Sequence, residues 1–215
     1  MRVKICGITR LDQAQAIASL GATDLGFIGV PQSPRYMDGT AIAAITRALA
    51  EAGMAVGTVG VFVNALGDHV AAVVRQSGLK TIQLHGQETP QDCERLRQAL
   101  PGVEIIKAIR VRGRQDLDLA HSYADQVDYL LLDAYHPRQY GGTGTTLDWD
   151  TLQTFSPNCP WLLAGGLTPD NIQTALARVT ADGIDLSSGV EQSPGVKDLT
   201  LVQQLFQQLD LINAC

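Results

Sequence analysis

Short apolar runs rich in Val, Ile and Leu return at near-regular intervals along this chain, and amphipathic stretches of helical period separate them. Arg2-Val3-Lys4-Ile5-Cys6 is the first run, and a helical pattern over 9–20 follows it. Further runs occupy 24–30, 56–63, 81–85, 103–109, 129–133, 161–164 and 184–187. Helical patterns between and after them cover 41–52, 68–76, 116–124 and 198–209, with others opening near 90, 148 and 168. The punctuation agrees. Thr89 before Pro90 reads as a cap followed by proline at the first helical position, and Gly21 and Gly78 read as stops. Thr9 with Asp12 has the spacing of a capping box, and Thr168-Pro169-Asp170-Asn171 reads as another cap. The series amounts to about eight strand–helix units of roughly 25 residues each. Runs this apolar do not suit half-exposed antiparallel strands; they fit a parallel sheet covered by helices. Eight units predict a closed (β/α)8 TIM barrel, with 1–215 as one domain. An open doubly wound sheet is the alternative, but its GxGxxG after the first strand is missing, since Cys6-Gly7-Ile8-Thr9 holds a single glycine.

Bulk properties narrow the partners. A net charge of -6 lacks the basic excess that phosphate-backbone binding needs, so nucleic acid is not expected. The cysteines at 6, 93, 159 and 215 form no CxxC and are too dispersed for a disulfide framework or a structural zinc site, which fits a reducing cytoplasm. His69, His121 and His136 have no metal-ligand spacing, so no metal is expected. The opening residues break into charge and glycine before a signal-type segment develops, and no apolar window is long enough for a bilayer. The expectation is a cytoplasmic protein without a membrane partner.

A barrel carries its chemistry at the C-terminal ends of its strands. Cys6, His85, Asp133 and Asp185 fall there, with Arg35 just past the second strand. Strand alternation puts Lys4 and Cys6 on one face and Val3 and Ile5 on the other. The same parity groups Gln83 with His85 and Leu131 with Asp133, so the polar groups should converge at the barrel mouth. A lone cysteine is commonly a small buried hydrophobe, but the helix expected from Thr9 would favour a thiolate at Cys6. Asp133 as an acid needs a proton, which desolvation beside Leu130, Leu131 and Leu132 would favour; the alternative is a carboxylate capping its own loop. His85 either faces a ligand or bonds the backbone, and Arg35, between two prolines and Tyr36, either faces a ligand or makes a surface ion pair.

Two loops suit an anion. Ala164-Gly165-Gly166-Leu167 follows the seventh run and Ser187-Ser188-Gly189-Val190-Glu191 the eighth, where barrels commonly hold a substrate phosphate on backbone N–H groups. A third loop, of roughly a dozen residues, follows Asp133 and has the length of a functional lid. Its Gly141-Gly142-Thr143-Gly144 is not a P-loop, because no Gly-Lys-Ser/Thr follows.

Seven blocks in order resemble the phosphoribosylanthranilate isomerase family: Val3-Lys4-Ile5-Cys6-Gly7-Ile8-Thr9; Ser33-Pro34-Arg35-Tyr36; Gln83-Leu84-His85-Gly86; Leu132-Asp133; Gly141-Gly142-Thr143-Gly144 with Asp148-Trp149; Leu163-Ala164-Gly165-Gly166-Leu167; and Asp185-Leu186-Ser187-Ser188-Gly189-Val190-Glu191. The resemblance implies an Amadori rearrangement of N-(5-phosphoribosyl)anthranilate to 1-(2-carboxyphenylamino)-1-deoxyribulose 5-phosphate, a step towards tryptophan. It implies a small phosphorylated substrate and no cofactor or metal; the chain is expected to work as a monomer. By position it makes Asp133 the general acid, Cys6 the general base and Arg35 the substrate-positioning arginine, with His85 and Asp185 near the ligand. Gly165, Gly166, Ser188 and Gly189 would grip the phosphate, and Gly141, Gly142 and Gly144 would belong to the lid. Another phosphosugar-processing barrel, or a barrel that only binds a phosphorylated metabolite, is the alternative.

Overall fold

The structure, a computed structural model, describes residues 1–65, 67–134 and 149–213. Eight parallel strands form a closed barrel in chain order: β1 (Arg2–Cys6), β2 (Asp24–Ile28), β3 (Gly57–Phe62), β4 (Thr81–Leu84), β5 (Glu104–Val111), β6 (Tyr129–Ala134), β7 (Trp161–Leu163) and β8 (Gly183–Leu186). Helices alternate with them: α1 (Leu11–Ser19), α2 (Gly39–Glu51), α3 (Gly67–Ser77), α4 (Pro90–Ala99), α5 (Arg114–His121), α6 (Trp149–Leu152), α7 (Ile172–Arg178) and α8 (Leu199–Asn213). This is the (β/α)8 barrel the alternating pattern predicts. The ring closes between β1 and β8, where Lys4 stands opposite Asp185.

The two-residue period of each strand sorts its side chains. Val3, Ile5, Leu25, Phe27, Ile82, Leu130 and Leu132 point outward into the core beneath the helices. Val59, Ile106, Ala108, Leu131, Leu162 and Ala164 form a separate, smaller cluster inside the barrel. That inner cluster is small because many of the other inward positions carry polar side chains, Lys4, Gln83, Asp133 and Asp185 among them, or glycine, as at Gly26. Lys4 is fully buried there, a position tolerable for an ammonium only with a partner, and Asp185 supplies it at 2.9 Å.

Two of the predicted caps differ from expectation. The box at α4 forms: Thr89 Oγ1 accepts from the Asp92 N–H, the Asp92 carboxylate accepts from the Thr89 N–H, and Pro90 opens the helix. The box expected from Thr9 and Asp12 does not. Helix α1 starts at Leu11 after Arg10, without a side-chain cap. Asp12 is taken up by the Arg10 guanidinium, while the Thr9 hydroxyl donates to the Gly195 carbonyl at 2.5 Å. At α7, Asn171 is the capping residue yet makes no cap bond: its Oδ1 accepts from the Thr168 N–H and its Nδ2 donates to the Gly166 carbonyl. It braces the preceding loop instead.

One element has no counterpart in the sequence expectations. After β8 a 3-10 turn (Ser188–Val190) leads into a small antiparallel hairpin of β9 (Glu191–Ser193) and β10 (Val196–Lys197).

Candidate active site

A cavity of about 360 Å³ opens at the C-terminal ends of the strands. Cys6, Arg35, His85, Asp133, Asp185, Gly165, Gly166, Ser188 and Gly189, the described candidates from the sequence, all border it. The lid candidates Gly141, Gly142 and Gly144 lie outside the described residues, with the rest of 135–148.

Cys6 ends β1 with its sulfur turned to the barrel interior. Gly26 on the neighbouring strand makes the room: a Cβ there would stand 2.7 Å from Cys6 Sγ. Below the sulfur, Asp185 pairs with Lys4. Burial works against the Lys4 charge, but Asp185 and the Cys6 sulfur outweigh it and hold the ammonium above its ordinary range. To one side, Arg35 gives the Glu191 carboxylate two close bonds, Nε to Oε1 at 2.9 Å and Nη2 to Oε2 at 2.6 Å. Lys197 Nζ donates to the same carboxylate at 2.7 Å and to the Ser187 carbonyl at 3.1 Å. Glu191 is held below the usual carboxylate range despite its burial, because both cations face it. Burial pushes the Lys197 ammonium below its ordinary range, with Glu191 opposing the shift.

The thiol departs from the sequence expectation. Rather than a depressed Cys6, burial pushes the thiol above its ordinary value; Lys4 and Lys197 pull downward while Asp185 adds to the rise. The helix that was to favour a thiolate begins only at Leu11, without a side-chain cap, so its help is weak. The cluster nevertheless has a charge asymmetry. Lys4, Arg35 and Lys197 face two carboxylates, Asp185 and Glu191, which leaves one positive charge over while the sulfur is protonated.

Across the cavity, Asp133 ends the inward face of β6 at 5% exposure. Its Oδ2 is 3.3 Å from His85 Nε2, and His85 Nδ1 is 3.0 Å from Gln83 Nε2 on β4. Outside the barrel wall, Lys107 of β5 donates to the carbonyls of Leu84 and Gly86, on either side of His85, and to Glu88 at 2.8 Å. Glu88 in turn accepts from the N–H groups of Asn64 and Gly86, which ties the loops after β3 and β4 together.

The anion loops meet at one end of the cavity. Gly165 (φ 88°) and Gly166 (φ 63°) are successive left-handed residues, a turn that L side chains resist. Gly189 packs so closely on the Leu167 carbonyl that a Cβ would collide with it, so the loops after β7 and β8 are fitted backbone to backbone. Sequence reasoning placed Gln83 beside His85 on the inward face and read Asn171 as a cap, but it missed Lys197, the bracing bonds of Asn171 and the Glu88–Lys107 pair as parts of this architecture. Pro194-Gly195 between two short polar stretches was the available sign of a hairpin that would return Lys197 to Glu191.

Comparison with known proteins gives the family. Residues 3–208 match the family described as N-(5'phosphoribosyl)anthranilate (PRA) isomerase. A curated relative from Nostoc punctiforme, named N-(5'-phosphoribosyl)anthranilate isomerase, is 58% identical over 209 residues, covering 97% of this chain and 98% of the relative. The crystal structure of phosphoribosyl anthranilate isomerase from Thermus thermophilus superposes with a TM-score of 0.86 at 35% identity, covering 99% of this chain and all of that one. A structure of such an isomerase in complex with reduced 1-(o-carboxyphenylamino)-1-deoxyribulose 5-phosphate gives a TM-score of 0.83 at 31% identity, with 98% of each chain covered. A match of this length and identity, on the same closed barrel, makes this chain a member of the N-(5'-phosphoribosyl)anthranilate isomerase family.

Proposed function

We propose that this chain, acting as one catalytic domain, isomerises N-(5'-phosphoribosyl)anthranilate with Asp133 as general acid and Cys6 as general base. The observation that carries the roles is that a carboxyl group and a sulfur from β6 and β1 border one cavity whose end is built from the paired glycine loops. Asp133 gives a proton to the ribose ring oxygen. The C1′–O bond breaks as the anthranilate nitrogen lone pair forms the Schiff base, and Asp133 is left as a carboxylate. Cys6, as thiolate, removes the C2′ proton; those electrons neutralise the Schiff base and give an enolamine, which tautomerises to the ketone. Two groups flanking one sugar can each contribute about 10²–10⁴ in rate.

The thiol must lose its proton before the second step. Burial resists this, and the surplus positive charge among Lys4, Arg35 and Lys197 favours it once water is excluded. Arg35 positions the anthranilate end, with Glu191 fixing its orientation; His85 and Asp185 stand near the ligand, and Gly165, Gly166, Ser188 and Gly189 hold the phosphate. The loop that includes Gly141, Gly142 and Gly144 is the lid in this reading. The test follows substrate fluorescence with freshly generated phosphoribosylanthranilate. Cys6→Ala and Asp133→Asn should each lower kcat by roughly 10²–10⁴ with KM little altered. No turnover by the unmodified protein would end the proposal.

A further inference from the structure

We propose that Gln83 is a positioning residue for the acid half of the site, holding His85 as the neutral tautomer protonated on Nε2, so that the imidazole donates towards Asp133. Two contacts made by opposite edges of the ring favour the same tautomer. On one side Gln83 Nε2, a donor, lies 3.0 Å from Nδ1, which must then be the bare, accepting nitrogen. On the other, Asp133 Oδ2 lies 3.3 Å from Nε2, and once the acid has given up its proton that carboxylate can only accept. A proton on Nδ1 would set two donors against each other at Gln83 and leave the lone pair of Nε2 facing the carboxylate.

Burial gives the arrangement its force. Gln83 is 1% exposed and His85 7%, so water cannot readily replace a wrong pairing. His85 Nε2 has no completed hydrogen bond among the described residues, nor does Gln83 Oε1. The 3.3 Å approach to Asp133 is therefore a contact poised to tighten, as hydrogen bonds between reacting groups commonly are before substrate arrives. The backbone that carries the ring is held on both sides, because the Leu84 and Gly86 carbonyls accept from Lys107. The catalytic consequence rests on Asp133 being the acid: after it protonates the ring oxygen, the carboxylate left behind meets an Nε2–H donor already aimed at it.

The experiment is the ¹⁵N spectrum of protein labelled in its four histidines, with the His85 signals assigned by their loss in His85→Asn. In the unmodified protein at neutral pH, Nε2 should carry the proton and Nδ1 should be bare. Gln83→Met keeps the bulk and removes the donor, so the two nitrogens should shift towards a mixture of tautomers and kcat should fall about tenfold with KM little changed. Gln83→Glu replaces the donor by an acceptor and should bring a proton to Nδ1. A purely packing role would leave the His85 signals of Gln83→Met where they were, and that result overturns the proposal. So does a proton on Nδ1 in the unmodified protein, a measurement that stands even if neither variant folds. Full activity in Asp133→Asn would instead overturn the acid role of Asp133 and leave the His85 tautomer as measured.

Discussion

In the proposed mechanism Cys6 is a thiol asked to act as a base, in surroundings that pull on it in both directions. Burial and Asp185 favour the protonated form, Lys4 and Lys197 the thiolate, and the balance lies with the thiol in the free protein. Iodoacetamide modification of the Cys6 peptide, followed by mass spectrometry across pH, should therefore reach half its maximal rate above the ordinary thiol value of 9.0. An inflection below pH 8 would mean that the cations win over burial without any help from the substrate. Some of this was legible in the chain. Strand parity alone placed Lys4 with Cys6 and Leu131 with Asp133 on the barrel interior, because a two-residue period leaves no other choice once Val3 and Ile5 face the helices. The sign of the thiol shift was not legible. It depends on Asp185, 179 positions away and brought alongside only by barrel closure, and on how little water reaches the sulfur.

Elements with their own physical signature were readable, and those without one were not. Each barrel strand is an apolar run bounded by turn residues, and the Thr89-Pro90-Gln91-Asp92 start of α4 carries its cap in four consecutive residues. The hairpin of β9 and β10 is Glu-Gln-Ser against Val-Lys, with no apolar run or alternation for a pattern to detect. The failed cap at Thr9 has the same source, since the hydroxyl finds a partner in the turn of that distant hairpin. This element matters because it carries Lys197 to Glu191 and so fixes the carboxylate that holds Arg35. Its turn depends on Gly195, which is left-handed at φ 82° and donates its N–H to Glu191 at 3.2 Å. Gly195→Ala should cost about 1–2 kcal/mol of stability from the left-handed backbone. For a domain of this size that lowers Tm by roughly 2–4 °C for each kcal/mol, read by calorimetry. Gly102→Ala is a useful comparison: it shares the left-handed backbone at φ 81°, but a Cβ there meets nothing within 4 Å. If the hairpin turn orders Glu191, KM should rise in Gly195→Ala and stay unchanged in Gly102→Ala.

At the scale of the whole molecule, closing the ring makes the site. Lys4 and Asp185 are 181 residues apart and become partners only because β8 returns to β1 in this register. Among the described residues the large exposed apolar side chains are Met1 at the chain start, Leu11 on α1, Tyr36 after β2, Leu119 on α5, and Leu199 and Leu211 on α8. The expected monomer should return a mass of 23.0 kDa in sedimentation equilibrium, and a stable dimer mass would refute that expectation. Stability against acid also belongs to this scale, because two buried carboxylates hold cations in different sectors of the barrel: Glu88 holds Lys107 and Glu191 holds Arg35 and Lys197. Burial pushes each carboxylate up, yet the facing cations hold both below the ordinary value of 4.5. A carboxylate depressed in the folded state binds its proton more readily when unfolded, so its stabilisation is complete above 4.5 and drains away as pH falls through the lower, folded value. Urea titrations should show unfolding free energy nearly independent of these groups at neutral pH and falling steeply below 4.5. Glu88→Gln leaves the Lys107 ammonium buried without its counter-charge, so stability at pH 7 should drop by roughly 3–5 kcal/mol. The same variant has one fewer depressed carboxylate to protonate, so its stability should decline less steeply with acid than that of the unmodified protein. Parallel acid profiles for the two proteins would mean that the Glu88–Lys107 pair is not what the barrel loses at low pH.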